Sequence, residues 1–547
     1  MRQYSLVVVA TILATPFSSA RAQGADSAAA VDRVFAGWTS AQTPGCAVAV
    51  ARDGKPILTR AYGMANLEYD VPNTPETIFE AGSVSKQFTA TAIALLAQDG
   101  KLSLDDPIRK YLPELPDVDQ PITIRHMLHH ISGLRDWGTV AAASGWPRGQ
   151  RAHTQAHVLD IMSRQHALNY PVGSEYLYSN SNYNLSAIIV QRVSGMPFSE
   201  FTRKRIFEPL GMTKTSWRDD FTRVVKGRST AYSSSGNGPW RLDMPFENAH
   251  GNGGLLTTVD DLLKWNQNFV APSVGGPSLV STLQERGRLT GGREISYALG
   301  LVVDSYRGVP EISHTGATGG YRAFLARYPQ QKLSVALLCN VGNANPDGVG
   351  HRISDIFLGA DAQPATQAGG ANAVPLSAQQ QEKFAGLWRD ERTHQPMRIV
   401  IRDSGLQSSR GGRLNAISET VLLLPPSARF ELLSSSGTRA RLATASGDTA
   451  FFAHEKTWEP TPEELRPYVG TYASDDAEAS FRLAVKDGKL IASARPDRDA
   501  PLAAAYRDAF TSPDGEVFWF HRDAKGRVTG VSLGMGRVRD MRFQKIK

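Results

Sequence analysis

Apolar segments in the first 362 residues predict a mixture of strands and helices. Residues 45–51 and 56–62 are strand-like and flank Asp53-Gly54, a pair that supplies the positive φ of a tight hairpin turn. Residues 84–98 are apolar on nearly every side and are followed by Gly100, as in a buried helix with a glycine after its C-cap.

Two further strands are predicted near the end of this region. Residues 321–328 and 333–338 are rich in apolar side chains and flank Pro329-Gln330-Gln331. These strands could lie beside the N-terminal hairpin in one antiparallel sheet, with the helices between them in sequence. This arrangement is typical of an α+β fold.

Beyond residue 362 the pattern changes. Residues 363–380 are rich in Ala, Gly, Gln and Pro with little periodicity, which predicts a linker. Short strand-like segments then recur between Gly, Asp, Ser and Pro clusters, as in an all-β sandwich or barrel. A shift of 84 positions superposes Gly386 on Gly470 and Trp388 on Tyr472 without gaps. The repeat predicts two related β modules, over residues 381–456 and 457–547.

Composition excludes several classes of protein. Of the 547 residues, 41% are hydrophobic and 21% are charged, and the mean hydropathy is −0.28, which excludes a disordered polar chain and a multi-span membrane protein. The net charge of +7 is spread along the chain without a basic run, so we expect no nucleic-acid partner. Two cysteines are too few for a disulfide framework or a cysteine zinc site.

The N-terminus has the pattern of a cleavable signal peptide. Arg2 precedes an apolar stretch over residues 6–13, and Ala20-Arg21-Ala22 provides small residues for cleavage, so residues 1–22 are predicted to be removed and Gln23 to begin the mature chain. The alternative is a buried N-terminal helix. No later stretch is apolar for 18 residues, so we expect a periplasmic or secreted protein without an integral membrane segment.

A candidate nucleophile and base lie at the start of the predicted buried helix. Ser83 and Lys86 are three positions apart, which places both side chains on one helix face. The helix N-terminus and burial both disfavour a protonated amine, so Lys86 could act as a neutral base toward the Ser83 hydroxyl. About one such spacing is expected by chance in this composition. The alternative is an N-cap serine with a solvated lysine.

Two further motifs favour the catalytic interpretation of Ser83 and Lys86. In chain order the three motifs are Ser83-x-x-Lys86, Tyr178-x-Asn180 and His314-Thr315-Gly316. Together they resemble the serine β-lactamase and penicillin-binding protein group, most closely its class C-like esterases and D-amino-acid-specific peptidases. Residues 122–134, 206–212 and 253–261 are also similar to stretches of that group. The resemblance implies a catalytic domain over residues 23–362, with an antiparallel sheet flanked by helices plus a helical subdomain.

The resemblance also implies roles in acyl transfer. Ser83 would attack a carbonyl and form an acyl-enzyme, and Lys86 would accept its proton. Tyr178 would pass a proton to the leaving group and activate water for deacylation. Asn180 would hydrogen-bond both Lys86 and the substrate amide.

The third motif is expected to open the strand near residue 321 and to bind substrate there. The backbone N–H groups of Ser83 and Ala317 would form the oxyanion hole, and Thr315 and Gly316 would bind substrate beside it, because a glycine lets a substrate backbone approach closely. His314 stands where many relatives have lysine. Since histidine is largely neutral above a pKa near 6.5, this departure predicts weak recognition of a substrate carboxylate.

Competing features are assigned other roles. Residues 530–534 match the nucleophile-elbow pattern but lie in the all-β region with no helix after them. The histidines at positions 126, 129 and 130 lack an accompanying carboxylate, so capping or support is expected instead of a metal site. Tyr176 and Tyr183 are rivals to Tyr178 that are expected to pack. No metal or other cofactor is predicted.

The two cysteines are predicted at matching strand ends. Cys46 would begin the first strand and Cys339 would end the last. If these strands are antiparallel neighbours the two could form a disulfide, and two buried free thiols are the alternative.

These observations predict an exported serine hydrolase that cleaves an amide or ester, with a D-amino-acid-type peptidase or amidase as the leading hypothesis. The alternatives are an esterase or weak β-lactamase with the same residues, and a slowly deacylating penicillin-binding or cell-wall interaction protein. The expected partner is a small-molecule or peptide substrate, such as a D-amino-acid or peptidoglycan-derived compound. The resemblance implies lipocalin-like barrels that limit access to the cleft, while stability or wall-binding modules remain alternatives.

Overall fold

The computed structural model describes residues 17–546 except 237, 364–372, 403–404, 410–411, 425–427, 435, 445–447 and 496–497, with side chains described from residue 26. The predicted leader, residues 1–22, lies mostly outside the described residues, and so does the middle of the predicted linker. The first described helix, Phe17–Val34, begins inside the predicted leader. Within the described part of the chain, no helix is long and apolar enough to cross a membrane.

A six-stranded antiparallel sheet forms the centre of the first 362 residues. Its strands lie in the order Val302–Tyr306, Val309–Thr318, Tyr321–Tyr328, Leu333–Cys339, Cys46–Arg52 and Lys55–Tyr62. Both predicted hairpins are therefore present and adjacent, and the predicted α+β class is confirmed.

The strand Cys46–Arg52 shows why this sheet is covered on both faces. Ala47, Ala49 and Ala51 pack into the larger core, whereas Val48 and Val50 pack into a second core on the opposite face. This alternation follows from the two-residue period of a strand. The second core is covered by two helices that pack against each other, Phe17–Val34 and Pro346–Leu358.

The larger core contains the nucleophile helix, which we define as Lys86–Gln98. It packs against Asn180–Ser194, Phe198–Thr202 and Gly276–Leu283, and helix Val259–Gln267 packs against the central sheet. Shorter helices complete a helical region at Ile124–Leu128, Trp137–Ala143 and Gln155–Ser163. Three small sheets also occur. Met64–Asn66 pairs with Val71–Pro72, and Tyr232–Ser233 pairs with Arg241–Leu242. In the third, Leu255–Thr257 pairs with both Phe79–Glu80 and Ser216–Trp217.

The region after residue 373 is dominated by two antiparallel β structures, which confirms the predicted all-β class. The first is an eight-stranded sheet in the order Gly405–Ser408, Pro396–Arg402, Gly386–Asp390, Thr449–Glu455, Arg439–Ala443, Ala428–Leu432, Val421–Leu424 and Asn415–Ser418. Short helices Ala378–Phe384 and Pro462–Leu465 precede the first and second structures.

The second β structure is a closed barrel. Its strands are Gly470–Ser474, Ala479–Lys486, Lys489–Ala494, Arg498–Tyr506, Ala509–Thr511, Val517–Arg522, Val528–Met535 and Val538–Lys545. The 84-residue repeat superposes the first strands of the two structures, Gly386–Asp390 and Gly470–Ser474.

The strand register resolves the two alternatives for the cysteines. Cys46 lies directly opposite Cys339 in the antiparallel pair, and the two form a disulfide with Cα atoms 4.0 Å apart. The bridge joins residues 293 positions apart and fixes the N-terminal strand against the last strand of the central sheet.

Candidate active site

Ser83 lies in a short turn that leads into the nucleophile helix. Gly82–Ser85 forms a 3₁₀ turn, and the α-helix begins at Lys86, two residues later than the apolar pattern predicts. Side chains three positions apart eclipse each other in a 3₁₀ turn. Accordingly the Lys86 Nζ lies 3.1 Å from the Ser83 Oγ.

Two glycines allow the turn to approach the strand Val309–Thr318. Gly82 has a φ of +50°, and a Cβ there would lie 2.6 Å from the backbone nitrogen of Ala317. A Cβ at Gly316 would lie 2.1 Å from the carbonyl oxygen of Ala81. Side chains at either position would separate the turn from the strand. The contact places Ser83 and Ala317, whose N–H groups are the predicted oxyanion donors, on the wall of one cavity.

Lys86 is fully buried and surrounded by oxygen atoms. Its Nζ lies 3.0 Å from the Asn180 Oδ1 and 2.7 Å from the Asn252 carbonyl oxygen. Burial lowers the pKa of Lys86 well below its ordinary value, and the positive charges of Arg537 and Arg148 lower it further. In its neutral form the amine has two N–H donors, which the two oxygens of Asn180 and Asn252 can accept. In that form its lone pair is left for the Ser83 hydroxyl proton.

Tyr178 packs against this pair. The Lys86 Nζ lies 4.7 Å from the centroid of the Tyr178 ring. The tyrosine hydroxyl is buried and has no well-aligned hydrogen-bond partner among the described residues. Burial raises its pKa well above the ordinary value, and the approach of the Ser83 hydroxyl offsets part of that rise. The phenol is therefore protonated at neutral pH and available as a proton donor.

His314 contributes no positive charge at neutral pH. Burial, followed by the nearby Lys86, lowers the pKa of His314 to about 4, and the side chain is 6% exposed. Its Nδ1 lies 2.6 Å from the Thr315 carbonyl oxygen and its Nε2 lies 3.1 Å from the Tyr297 hydroxyl. Since a carbonyl only accepts, Nδ1 carries the proton and Nε2 accepts from Tyr297.

The structure brings all eight predicted site residues together. A cavity of about 400 Å³ is lined by seven of them, namely Ser83, Tyr178, Asn180, His314, Thr315, Gly316 and Ala317. Lys86 lies behind Ser83 and contacts it through the hydrogen bond described above. The arrangement combines a hydroxyl, a buried amine with a lowered pKa, a protonated phenol and two backbone N–H groups around one cavity. These are the groups that acyl transfer requires.

Several residues around the site carry no signal in the sequence. Tyr297 fixes the His314 ring, and Asn252 holds the Lys86 amine through its carbonyl. Asn252 directly precedes the family-like stretch 253–261, which is the nearest hint available from the sequence. Arg148, Arg322 and Arg537 also line the cavity.

The tip hairpin of the barrel reaches this cavity. We define it as strands Val528–Met535 and Val538–Lys545 with Gly536-Arg537 between them. The Arg537 guanidinium carbon lies 4.7 Å from the Tyr178 ring centroid. The barrel is also anchored by Arg135, which is 1% exposed and donates to the Asp476 carboxylate at 2.7 Å and to the Asp540 carbonyl at 2.9 Å. The barrel thus forms part of the cavity wall.

The nucleophile-elbow pattern over residues 530–534 lies within a strand. Ser532 is 3% exposed, and its hydroxyl donates to the Asp540 carboxylate and lies 2.7 Å from the His521 Nε2. The serine lies between the histidine and the aspartate, whereas a catalytic histidine lies between the other two. No helix follows the strand, so the elbow geometry is absent from these residues.

The three clustered histidines have structural partners. His126 forms a capping box with Thr123. His129 contacts two backbone carbonyls, and His130 accepts from the Ser179 backbone N–H at 3.2 Å. Among the described residues, no group of three His, Cys, Asp or Glu side chains could hold a metal ion.

The rival tyrosines take part in packing. Tyr183 is fully buried, and its hydroxyl donates to the Leu128 carbonyl at 2.7 Å. Tyr176 packs beside Tyr178 and Tyr297 in a small aromatic cluster.

Comparisons with known proteins identify the family of the chain. The family model described as Beta-lactamase matches residues 30–359. The D-aminopeptidase of Brucella anthropi is 26% identical over 529 residues, covering 92% of this chain and 96% of the relative, and that of Gluconobacter oxydans is 27% identical over 531 residues with the same coverage.

Two solved structures share the fold. The octameric penicillin-binding protein homologue from Pyrococcus abyssi has a TM-score of 0.53 at 20% identity, covering 89% of this chain and all of the other. The D-amino acid amidase from Ochrobactrum anthropi SV3, complexed with L-phenylalanine amide, has a TM-score of 0.52 at 23% identity, covering 62% of this chain and all of the other. The family match spans more than half of the sequence, and the chain therefore belongs to the Beta-lactamase family as a serine hydrolase.

Proposed function

We propose that the protein is exported and hydrolyses an amide bond of a D-amino-acid compound through an acyl-enzyme on Ser83. The observation that carries the proposal is the position of the buried Lys86 Nζ, which lies 3.1 Å from the Ser83 Oγ and is held by the Asn180 Oδ1 and the Asn252 carbonyl oxygen. Burial lowers the pKa of this amine, which favours the neutral form. A neutral base beside the hydroxyl is what a serine nucleophile requires.

In the proposed reaction, Lys86 takes the Ser83 proton as the serine oxygen attacks the substrate carbonyl. The N–H groups of Ser83 and Ala317 stabilise the resulting oxyanion, an element that typically contributes about a hundredfold to a thousandfold in rate. Tyr178 gives its proton to the departing nitrogen and recovers one from the Lys86 ammonium. Water then attacks the acyl carbonyl while Lys86, neutral again, accepts one water proton through the Tyr178 hydroxyl. The bond between the acyl carbon and the Ser83 Oγ breaks, the Ser83 Oγ takes that proton back, and the free acid leaves.

The substrate class is supported by the relatives. D-aminopeptidases match over almost the full length of this chain, and a D-amino acid amidase shares its fold. An esterase or weak β-lactamase with the same residues is the alternative chemistry. Export is supported by the leader pattern in residues 1–22 and by the Cys46–Cys339 disulfide, a bond that persists in oxidising compartments such as the periplasm.

Activity-based labelling tests the nucleophile. A fluorophosphonate probe should modify Ser83, and the Ser83→Ala variant should lose both labelling and hydrolysis. The matched control is Ser532→Ala, which removes the serine of the elbow-like pattern and should keep labelling. Probe attached to a peptide containing residue 532, or labelling that survives Ser83→Ala, would place the nucleophile elsewhere.

A substrate panel tests the reaction class. In a panel of N-acetyl-D-alanyl and N-acetyl-L-alanyl p-nitroanilides, a short p-nitrophenyl ester and a chromogenic cephalosporin, the D-anilide should be hydrolysed faster than the others. Preferred ester or cephalosporin turnover would favour the alternative chemistry. Labelled penicillin that stays attached for hours without turnover of any substrate would instead indicate a penicillin-binding protein. N-terminal sequencing of the exported protein should find Gln23 first.

A further inference from the structure

Arg537 is carried into the cavity by a turn whose position is fixed from outside the barrel. Its carbonyl oxygen accepts from the Asn169 side-chain amide at 3.0 Å, so the catalytic region holds the turn in place. Its side chain is 44% exposed and lines the cavity that contains Ser83. A substrate bound at Ser83 therefore lies within reach of the Arg537 guanidinium.

The cavity wall carries three arginines, and among the described lining residues there is no carboxylate. Arg148 is balanced by a bidentate pair with Glu247, whose Oε2 lies 3.0 Å from the arginine Nε. Arg322 donates to the backbone carbonyls of Gly319 and Tyr321 at 2.6 and 2.7 Å, which bring no charge.

Arg537 is paired with a carboxylate less closely than Arg148 is, and its side chain remains partly exposed. Its nearest paired carboxylate is Asp136, 3.7 Å away. The two Asp136 oxygens are used by backbone donors, since Oδ1 accepts from the Thr139 N–H at 3.1 Å and Oδ2 from the Asn180 N–H at 2.7 Å. Burial lowers the pKa of both Lys86 and His314, and the guanidinium groups of Arg537 and Arg322 are the cations that line the cavity beside them.

We infer that Arg537 is a specificity residue that binds a carboxylate group of the substrate, so that this enzyme prefers acidic amides to substrates with a free amine. This inference rests on the proposed function and further specifies that the preferred substrate is negatively charged. A guanidinium binds a carboxylate through two parallel hydrogen bonds. A free α-ammonium, as an aminopeptidase substrate carries, would instead meet guanidinium groups on a wall that offers it no carboxylate among the described residues.

Three substrates with one scissile bond test the preference. They are the p-nitroanilides of D-alanine, N-acetyl-D-alanine and N-succinyl-D-alanine, which are cationic, neutral and anionic near neutral pH. The kcat/KM of the wild type should be about tenfold higher for the succinyl than for the acetyl compound, and lowest for the free amine. N-acetyl-D-alanyl-D-alanine and its C-terminal amide repeat the comparison on the leaving-group side.

Variants assign the preference to Arg537. Arg537→Gln should reduce the carboxylate preference about tenfold, and Arg537→Glu should reverse it in favour of the free amine. The control is Arg507→Gln, which removes an exposed arginine from another turn of the same barrel and should leave every ratio unchanged. A wild-type preference for the free amine would overturn the inference. So would kcat/KM ratios between the anionic and neutral substrates that are near one in both substrate pairs, or that Arg537→Gln leaves unchanged in both.

Binding separates this inference from the proposed function. In the Ser83→Ala background, N-succinyl-D-alaninamide should bind about tenfold more tightly than N-acetyl-D-alaninamide, and Arg537→Gln should remove the difference. Calorimetry measures both constants without turnover. Equal affinities would overturn the inference, whereas unequal affinities with no hydrolysis by the wild type would contradict the proposed function alone.

Discussion

Replacing Arg537 with glutamine should raise the pKa of Lys86 by about half to one unit. The Lys86 Nζ and the Arg537 guanidinium carbon each lie 4.7 Å from the Tyr178 ring centroid, so they are at most twice that distance, about 9.4 Å, apart. Two positive charges at that separation repel by about 1.8 kcal/mol at an effective dielectric constant of about 20, or about 1.3 pKa units. Because the Arg537 side chain is 44% exposed, solvent screening reduces this value by roughly half.

The pH dependence of kcat/KM measures the shift. Lys86 acts as a base only when it is deprotonated, so the acid limb of the profile reports its pKa in the free enzyme. Removing a positive charge favours the ammonium form, so the acid limb of Arg537→Gln should move to higher pH. The neutral N-acetyl-D-alanyl anilide is the substrate of choice, because its binding does not depend on the charge at position 537.

Salt and a control variant sharpen the test. Raising the ionic strength from about 0.05 M to about 0.5 M should reduce the difference between the two profiles, because part of the repulsion crosses solvent. Arg507→Gln should leave the limb where the wild type has it. An acid limb that stays in place in Arg537→Gln, or moves to lower pH, would refute the reasoning that Lys86 is the base and that the barrel arginine lowers its pKa.

Three stability predictions follow from buried contacts. Replacing Cys46 and Cys339 together with alanine should lower the free energy of unfolding by about 2–5 kcal/mol in urea titrations, and an unchanged midpoint would show that the bridge adds nothing. Glu80→Gln removes the carboxylate that pairs closely with the guanidinium of Arg218, which is 1% exposed, and leaves only Glu247 at 3.9 Å. The change should cost about 3–5 kcal/mol and lower the Tm, and an unaltered melt would contradict it. Burial lowers the pKa of His351, but hydrogen bonds to Asp347 and Glu311 and the charges of these two carboxylates outweigh it and raise the pKa to about 9 from 6.5. The stabilising contribution of His351 should therefore be complete below pH 6.5 and lost as pH rises through about 9. Urea midpoints of the wild type and of His351→Asn should converge across this range, and parallel curves would rule the contribution out.

The local sequence pattern was sufficient to predict much of the central sheet. The hairpin around Asp53-Gly54 and the strands near residues 321 and 333 are specified by turn residues and apolar runs over a few positions, and both lie in one sheet as expected. The start of the nucleophile helix was less well defined. The apolar pattern continues through the 3₁₀ turn before Lys86, because burial on several sides gives the same composition to either type of turn.

The long-range parts of the site could not be predicted from local pattern. Asn252 contributes a carbonyl, which every residue possesses, and Tyr297 acts only because the fold places it 3.1 Å from His314. Arg537 is more than 350 positions from Tyr178 in sequence, and nothing in its own neighbourhood distinguishes it from the other arginines of the barrel. The disulfide required the strand register, which only the folded sheet supplies.

The replacement of a motif lysine by His314 has a different meaning once the barrel is included. From the sequence, a neutral histidine predicts weak recognition of a substrate carboxylate, and the pKa of about 4 keeps that side chain uncharged. The cavity nevertheless has positive charge, because Arg537 enters from the tip hairpin and Arg322 from the strand paired with Ala317. A cation supplied by the barrel is positioned by the docking contacts of Arg135 and Asn169. Under the proposed function, substrate charge preference and the pKa of the base therefore depend on the same docked hairpin, and a displacement of the barrel would change both together.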